Sequence, residues 1–118
     1  LNLAKTRNEI SVVSDQIGTP TYAGDLANVI LKIITSNSRS FGLYHYSNEG
    51  VASWYDFASV IFKSHKLSIN LIPILSNQYP AAAKRPKNSV LDSEKVKEVF
   101  NIQPSKWKIS LKKLIENR

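Results

Sequence analysis

The chain has 118 residues, 42% of them hydrophobic, enough to build one domain around one modest core. It has no cysteine and only two histidines, His45 and His65, which excludes a disulfide framework and leaves a structural zinc without a ligand set. Sixteen Lys and Arg against nine Asp and Glu give a formal charge of +7, which favours anionic partners (phosphates, nucleic acid or anionic lipid) without choosing among them.

No apolar run approaches a membrane span, and the opening Leu1-Asn2-Leu3-Ala4-Lys5 is too short for a signal peptide, so a soluble cytoplasmic protein with no membrane partner is expected. The chain contains no methionine at its start or elsewhere, and we read it as a piece of a longer protein. Residues 1–118 show no internal repeat, low-complexity stretch or linker and are expected to form a single module.

Ile10 to Val13 is a β-branched run that predicts a strand, and Asp15-Gln16-Ile17-Gly18-Thr19-Pro20-Thr21 breaks it with turn-forming residues. From Asp25, the apolar residues Leu26, Val29, Ile30, Ile33 and Ile34 recur at helical spacing and predict a helix of about four turns to near Ser36. Leu43 to Tyr46, after Gly42, predicts a short strand, with Ser47-Asn48-Glu49-Gly50 as the turn behind it. Ser53-Trp54-Tyr55-Asp56 fits a capping box opening a second helix, with Trp54, Phe57, Ala58, Ile61 and Phe62 on its apolar face.

Ile69 to Leu75 is apolar but contains Pro73, which lacks an amide hydrogen and so suits an edge strand. Between Gln78-Tyr79-Pro80 and Arg85-Pro86-Lys87 lies a basic loop in which each proline pushes the preceding residue toward extended geometry. Asp92 is the expected N-cap of a helix carrying Val96, Val99 and Phe100, and Ser105 that of a last helix with Trp107, Leu111, Leu114 and Ile115 inward. Lys95, Lys97, Lys106, Lys108, Lys112, Lys113 and Arg118 alternate with these apolar positions and read as solvated helix faces. The pattern as a whole is α/β, mixing short strands with about four helices.

The four glycines, at 18, 24, 42 and 50, never form a dinucleotide fingerprint or a P-loop, and no tyrosine has a lysine four residues on. No complete catalytic set is present. Two loops carry the polar chemistry. Ser14 to Thr21 lies between a strand and a helix, where amides and hydroxyls can face a ligand at the sheet edge; a polar connector with a proline turn is the simpler reading of those residues alone. Tyr79 to Ser89 joins an aromatic, Arg85 and lysines, which suits a base and a diphosphate, although a solubilising surface arginine fits the composition equally well. His45 and His65 read as structural or surface residues.

At these loops the sequence resembles the dTDP-4-dehydrorhamnose reductases of the extended short-chain dehydrogenase/reductase group. The likeness runs through Val12-Val13-Ser14-Asp15-Gln16-Ile17-Gly18-Thr19-Pro20-Thr21, Asp25-Leu26-Ala27, Gly42-Leu43-Tyr44-His45, Ser53-Trp54-Tyr55-Asp56-Phe57-Ala58, and Tyr79-Pro80 through Arg85-Pro86 to Asn88-Ser89-Val90-Leu91-Asp92. It departs at Ser14, where that family often has Asn. The resemblance implies the C-terminal substrate-binding lobe of an NAD(P)-binding, Rossmann-like enzyme that reduces dTDP-4-dehydro-L-rhamnose to dTDP-L-rhamnose for surface polysaccharides. It implies substrate-binding roles for Asp15, Gln16, Thr19, Thr21, Tyr79 and Arg85. Arg85 would serve the diphosphate, Tyr79 the thymine or sugar, and the Asp15-Gln16 loop polar groups.

The catalytic Tyr-x-x-x-Lys and the glycine-rich cofactor loop would precede Leu1, so the resemblance implies no catalytic, cofactor-binding or metal residue within the chain. NADPH or NADH would serve the full-length protein, and none is expected on this piece alone. The implied partners are a dTDP-sugar, the N-terminal Rossmann half and, through exposed apolar surface, a second copy as a homo-oligomer. Two rivals remain: a non-catalytic nucleotide-binding or regulatory relative, which would lack the upstream Tyr-x-x-x-Lys, and a basic nucleic-acid-binding domain. The second conflicts with both tryptophans lying on apolar helix faces, where they are expected in the core.

Overall fold

The computed structural model describes residues 2–81 and 83–117. Helices and short strands alternate along the chain, an α/β fold: β1 Glu9–Val13, β2 Ile17–Gly18, α1 Ala23–Thr35, β3 Ala52–Ser53, α2 Trp54–Ser64, β4 Asn70–Ile74, α3 Glu94–Phe100 and α4 Trp107–Glu116. The chain divides into two compact units, Leu1–Gly18 with Val51–Ser89, and Thr19–Gly50 with Val90–Arg118. Each unit is made of two segments far apart in sequence.

In the first unit, β1 and β4 pair in parallel from Glu9↔Asn70 to Val13↔Ile74, and β2 pairs antiparallel with β3. Pro73 stands opposite Val12, and β4 has β1 as its only ladder partner among the described residues, so the missing amide hydrogen costs no sheet bond. Helix α2 packs on β1, β3 and β4 and opens with the capping box expected of Ser53-x-x-Asp56. The Ser53 hydroxyl accepts from the Asp56 amide at 3.0 Å, and the Asp56 carboxylate accepts from the Ser53 amide at 2.9 Å.

The second unit closes around Val29 of α1, Val96 and Phe100 of α3, and Ile102, with Ile33, Tyr44 and Tyr46 packed against them. Beneath this lies a polar hub. Asn48, only 2% exposed, accepts the Tyr22 amide hydrogen on Oδ1, and the two hydrogens of its Nδ2 are shared among Asp25 (2.8 Å), the Ser105 carbonyl (3.0 Å) and the Ser110 hydroxyl (3.1 Å). The Ser110 hydroxyl in turn donates to the same Asp25 carboxylate oxygen. Burial, and secondarily the Asp25 charge, hold the Tyr46 phenol above its ordinary pKa. Gly50 sits at φ 90° with a Trp107 ring carbon 3.1 Å from where a Cβ would stand, so both backbone and neighbour call for glycine there.

Four local expectations give way to the structure. Leu43 to Tyr46 lies in no ladder among the described residues; its aromatic residues serve the core instead, Tyr44 meeting Phe100 edge-on with ring centroids 5.0 Å apart. Ser93, not Asp92, is the N-cap of α3, although the Asp92 carboxylate accepts from the Glu94 amide at 2.9 Å and so still satisfies one first-turn donor. Ser105 does not cap α4, whose N-cap is Lys106; the Ser105 residue is held instead by its carbonyl, which accepts from the Glu49 amide and from Asn48. Lys97 is no freely solvated cation: it bonds Glu94 at 2.9 Å and lies 3.5 Å from Glu49, contacts that hold its pKa above the ordinary lysine value.

Candidate functional site

The first unit contains a cleft of about 230 Å³ lined by Val12, Val13, Gln16, Trp54, Ser76, Tyr79, Ala81 and Arg85. Its position follows from the strand pairing. Because β1 and β4 are parallel, Val12–Val13 and the turn after Ile74 reach the same sheet edge, and the Ser14 amide and hydroxyl both donate to the Ile74 carbonyl, at 2.9 and 3.1 Å. The C-terminal edge of parallel strands is where open α/β sheets gather ligand-binding loops.

Each wall is held by its own local bonds. After β4, a single 3-10 turn over Ser76–Gln78 is closed by the Leu75 amide donating to Gln78 Oε1 at 2.8 Å and the Tyr79 amide to the Ser76 carbonyl. Tyr79 is thereby set at the rim. The basic loop is tied back at its far end: the Ile17 amide donates to the Lys87 carbonyl at 2.8 Å, and the Ser89 amide and hydroxyl donate to the Ile17 carbonyl at 2.9 and 3.1 Å. Arg85, two residues before that anchor and one before Pro86, lines the cleft, and no carboxylate pairs with it among the described residues.

Of the six residues expected at a ligand, the structure gathers Gln16, Tyr79 and Arg85 around one cavity. Asp15 points elsewhere: its carboxylate accepts the Ser76 amide and the Ser76 hydroxyl, each at 2.8 Å, fastening the first loop to the turn that carries Tyr79. The Ser76 hydroxyl bond, with smaller help from the Ser76 amide and from the Lys87 charge, holds the Asp15 carboxyl below the ordinary carboxylate pKa against some desolvation. Thr19 and Thr21 belong to the second unit, where the Thr21 hydroxyl donates to the Thr19 carbonyl and accepts from the Asn48 amide, so it is committed to its own loop.

The cleft also holds residues that the sequence pattern did not assign to it: Val12, Val13, Trp54, Ser76 and Ala81. Trp54 is the main correction. It occupies the first position of α2 and is 53% exposed rather than in the core, whereas Trp107 is 4% exposed and fills the interior as expected. The signal was present in the capping box, which places Trp54 at the start of a helix that begins at a strand end, not in its half-buried middle turns.

Among the described residues, no group of three or more His, Cys, Asp or Glu side chains could hold a metal ion, and no helix is long and apolar enough to cross a membrane. Nor do the glycines form a dinucleotide cradle. Gly18 lies within β2, and Gly24 lies within α1, while Gly42 and Gly50 are isolated in irregular chain.

The chain is 44% identical to a dTDP-4-dehydrorhamnose reductase of Aggregatibacter actinomycetemcomitans, over 97% of its own length and 42% of that protein's. It is 38% identical to the spore coat polysaccharide biosynthesis protein SpsK of Bacillus subtilis, over all of its own length and 40% of that protein. A crystal structure of the dTDP-4-dehydrorhamnose reductase of Bacillus anthracis in complex with NADP superposes with a TM-score of 0.91 at 38% identity, covering 99% of this chain and 41% of that one. The chain thus spans about two fifths of the length of these relatives. The family described as RmlD substrate binding domain matches residues 1–118 from end to end, and the chain belongs to that family.

Proposed function

We propose that this chain is the substrate-binding part of a dTDP-4-dehydrorhamnose reductase, which reduces dTDP-4-dehydro-L-rhamnose to dTDP-L-rhamnose with NADPH or NADH for polysaccharide biosynthesis. The observation that carries the reading is the convergence of Gln16, Tyr79 and Arg85 on one cleft at the C-terminal edge of β1 and β4, in a chain whose relatives bear that name. Arg85 offers a planar two-pronged donor for a diphosphate, and Tyr79 an aromatic face for the base or sugar.

When bound to the full-length protein, the nicotinamide cofactor would supply the hydride, and the proton for the ketone oxygen would come from an acid outside these residues. The residues present form no cradle for that cofactor, and we assign its binding to the rest of the full-length protein. What this chain contributes is orientation. Fixing a nucleotide-sugar so that C4 meets the hydride donor supplies at best about 7 to 11 kcal/mol of the barrier lowering. A water-soluble, anionic substrate and cofactor also fit the cytoplasmic setting expected from the sequence.

The test is kinetic. In the full-length protein, Arg85→Ala is expected to raise KM for the dTDP-sugar and to cost about 1 to 3 kcal/mol in kcat/KM, with cofactor affinity unchanged. Arg85→Lys recovers part of this loss, because an ammonium keeps the charge and loses the fork. Lys112, 77% exposed and 3.7 Å from Glu116, serves as the control cation. Equal small effects from Arg85→Ala and Lys112→Ala would return the basic loop to an ordinary solvated surface.

A further inference from the structure

We infer that the outward face of α4 docks on an anionic lipid surface, its lysines meeting the headgroups and Ile109 entering between them. Helix α4 spends Trp107, Ser110 and Leu111 on the interior, all three buried. At about 100° per residue, its opposite side then carries Lys108, Ile109, Lys112, Lys113 and Glu116, with Lys106 at the N-cap. Ile109 lies in the middle of them and is 61% exposed. Its neighbours one turn to either side are Lys106, Lys112 and Lys113, and Lys108 precedes it in the chain.

The positive charge of this face is largely unspent. Lys112 lies 3.7 Å from Glu116, the one carboxylate of α4, and Lys108 stands 5.5 Å from the centre of the Trp107 ring. Lys106 and Lys113 form no ion pair among the described residues. Four lysines on one helix face suffice to hold an anionic bilayer, and their alkyl stems let an apolar neighbour sink while the ammonium groups stay at the phosphates. Single-stranded nucleic acid calls for an exposed aromatic to stack on, but Trp107 is 4% exposed and the apolar group offered is aliphatic. A protein partner calls for a pocket or a broad apolar area, where this convex turn provides a single isoleucine. A bilayer surface is soft enough to take it. Such a contact needs no spanning segment, and it replaces both the solvated-face reading of these lysines and the expectation of no membrane partner. Neither the cleft nor the nucleotide-sugar reading enters it.

Co-sedimentation of the full-length protein with vesicles tests this, one set made of phosphatidylcholine alone and one with phosphatidylglycerol mixed in. The wild type should bind the anionic vesicles, release them as salt is raised, and ignore the neutral ones. Each lysine near an anionic surface strengthens binding about fivefold, so Lys106→Gln with Lys113→Gln should weaken it about 30-fold. Lys106→Arg with Lys113→Arg should keep it, which shows that charge rather than the fold was lost. Lys63→Gln with Lys66→Gln makes the same change of net charge at exposed positions at the end of α2 and should leave binding nearly unchanged. Ile109→Ser should weaken vesicle binding roughly three- to tenfold. A wild type that binds no vesicles, an equal loss from the Lys63 and Lys66 variant, or an Ile109→Ser protein that binds like the wild type would each overturn the inference. Binding to duplex DNA in place of anionic vesicles would overturn it too, and in all of these cases the substrate reading stands.

Discussion

Two polar residues show how a side chain that looks like a ligand contact can be spent on holding the site. Asp15 fastens Ser76 through two 2.8 Å bonds, and its carboxyl titrates below the unfolded value. A carboxyl with a depressed folded pKa stabilises the folded state fully above its unfolded pKa, and that stabilisation disappears as pH falls through the folded one. Unfolding midpoints of wild type and Asp15→Asn should therefore differ at neutral pH and converge in acid below the ordinary carboxylate range. A difference that persists unchanged in acid would show that the charge is not what fastens Ser76. Asn48 is the second case. Truncating it to Ala strips partners from the Tyr22 amide, Asp25 and Ser110 at a site 2% exposed, and should cost about 2 to 4 kcal/mol in denaturant unfolding. A loss below about 1 kcal/mol would mean that the hub relaxes around the gap.

Among the elements, those whose signal is local were legible from residue spacing: β1 from its β-branched run, α1 from its apolar period, and α2 from Ser53-x-x-Asp56. Ser53→Ala should destabilise α2 by about 1 kcal/mol and loosen the Trp54 wall, seen as faster amide exchange in its first turn. Exchange unchanged there would detach the cap from the cleft. Elements whose fate depends on distant partners were not legible. Leu43 to Tyr46 has strand composition, but Tyr44 is drawn to Phe100 and no ladder forms among the described residues. The two-residue β2 exists because its partner, Ala52–Ser53, lies 35 positions along the chain, a pairing no window over the loop contains. The cleft was half legible for the same reason. Tyr79 and Arg85 announced themselves by chemistry in one loop, whereas Val12 and Ser76 join them through the parallel pairing of β1 with β4, and Trp54 stands at the start of α2 where the β2–β3 pairing ends.

At the scale of the whole molecule, the apolar stripe that predicted α1 is largely open to solvent. Within that stripe Val29 is buried and Ile33 packs against the core, but Ile30 and Ile34 are 49% and 66% exposed; Leu31, outside the stripe, is 59% exposed, and Phe41 and Leu43 nearby in sequence are 88% and 74% exposed. Apolar surface of this kind calls for a partner, and the chain spans only about two fifths of its relatives. Residues 1–118 produced alone should therefore self-associate as concentration rises, with Ile30→Asp and Ile34→Asp reducing the association in light scattering; a strictly monomeric species at high concentration would contradict this. The account as a whole turns on whether this chain positions a nucleotide-sugar for a reduction completed by other residues. The most direct measurement is oxidation of NADPH or NADH with dTDP-4-dehydro-L-rhamnose, comparing the full-length protein with residues 1–118 alone. Turnover to dTDP-L-rhamnose by the full-length protein and none by residues 1–118 is the predicted result. Turnover by residues 1–118 alone, or a full-length protein that binds the sugar nucleotide and oxidises neither NADPH nor NADH, would contradict it.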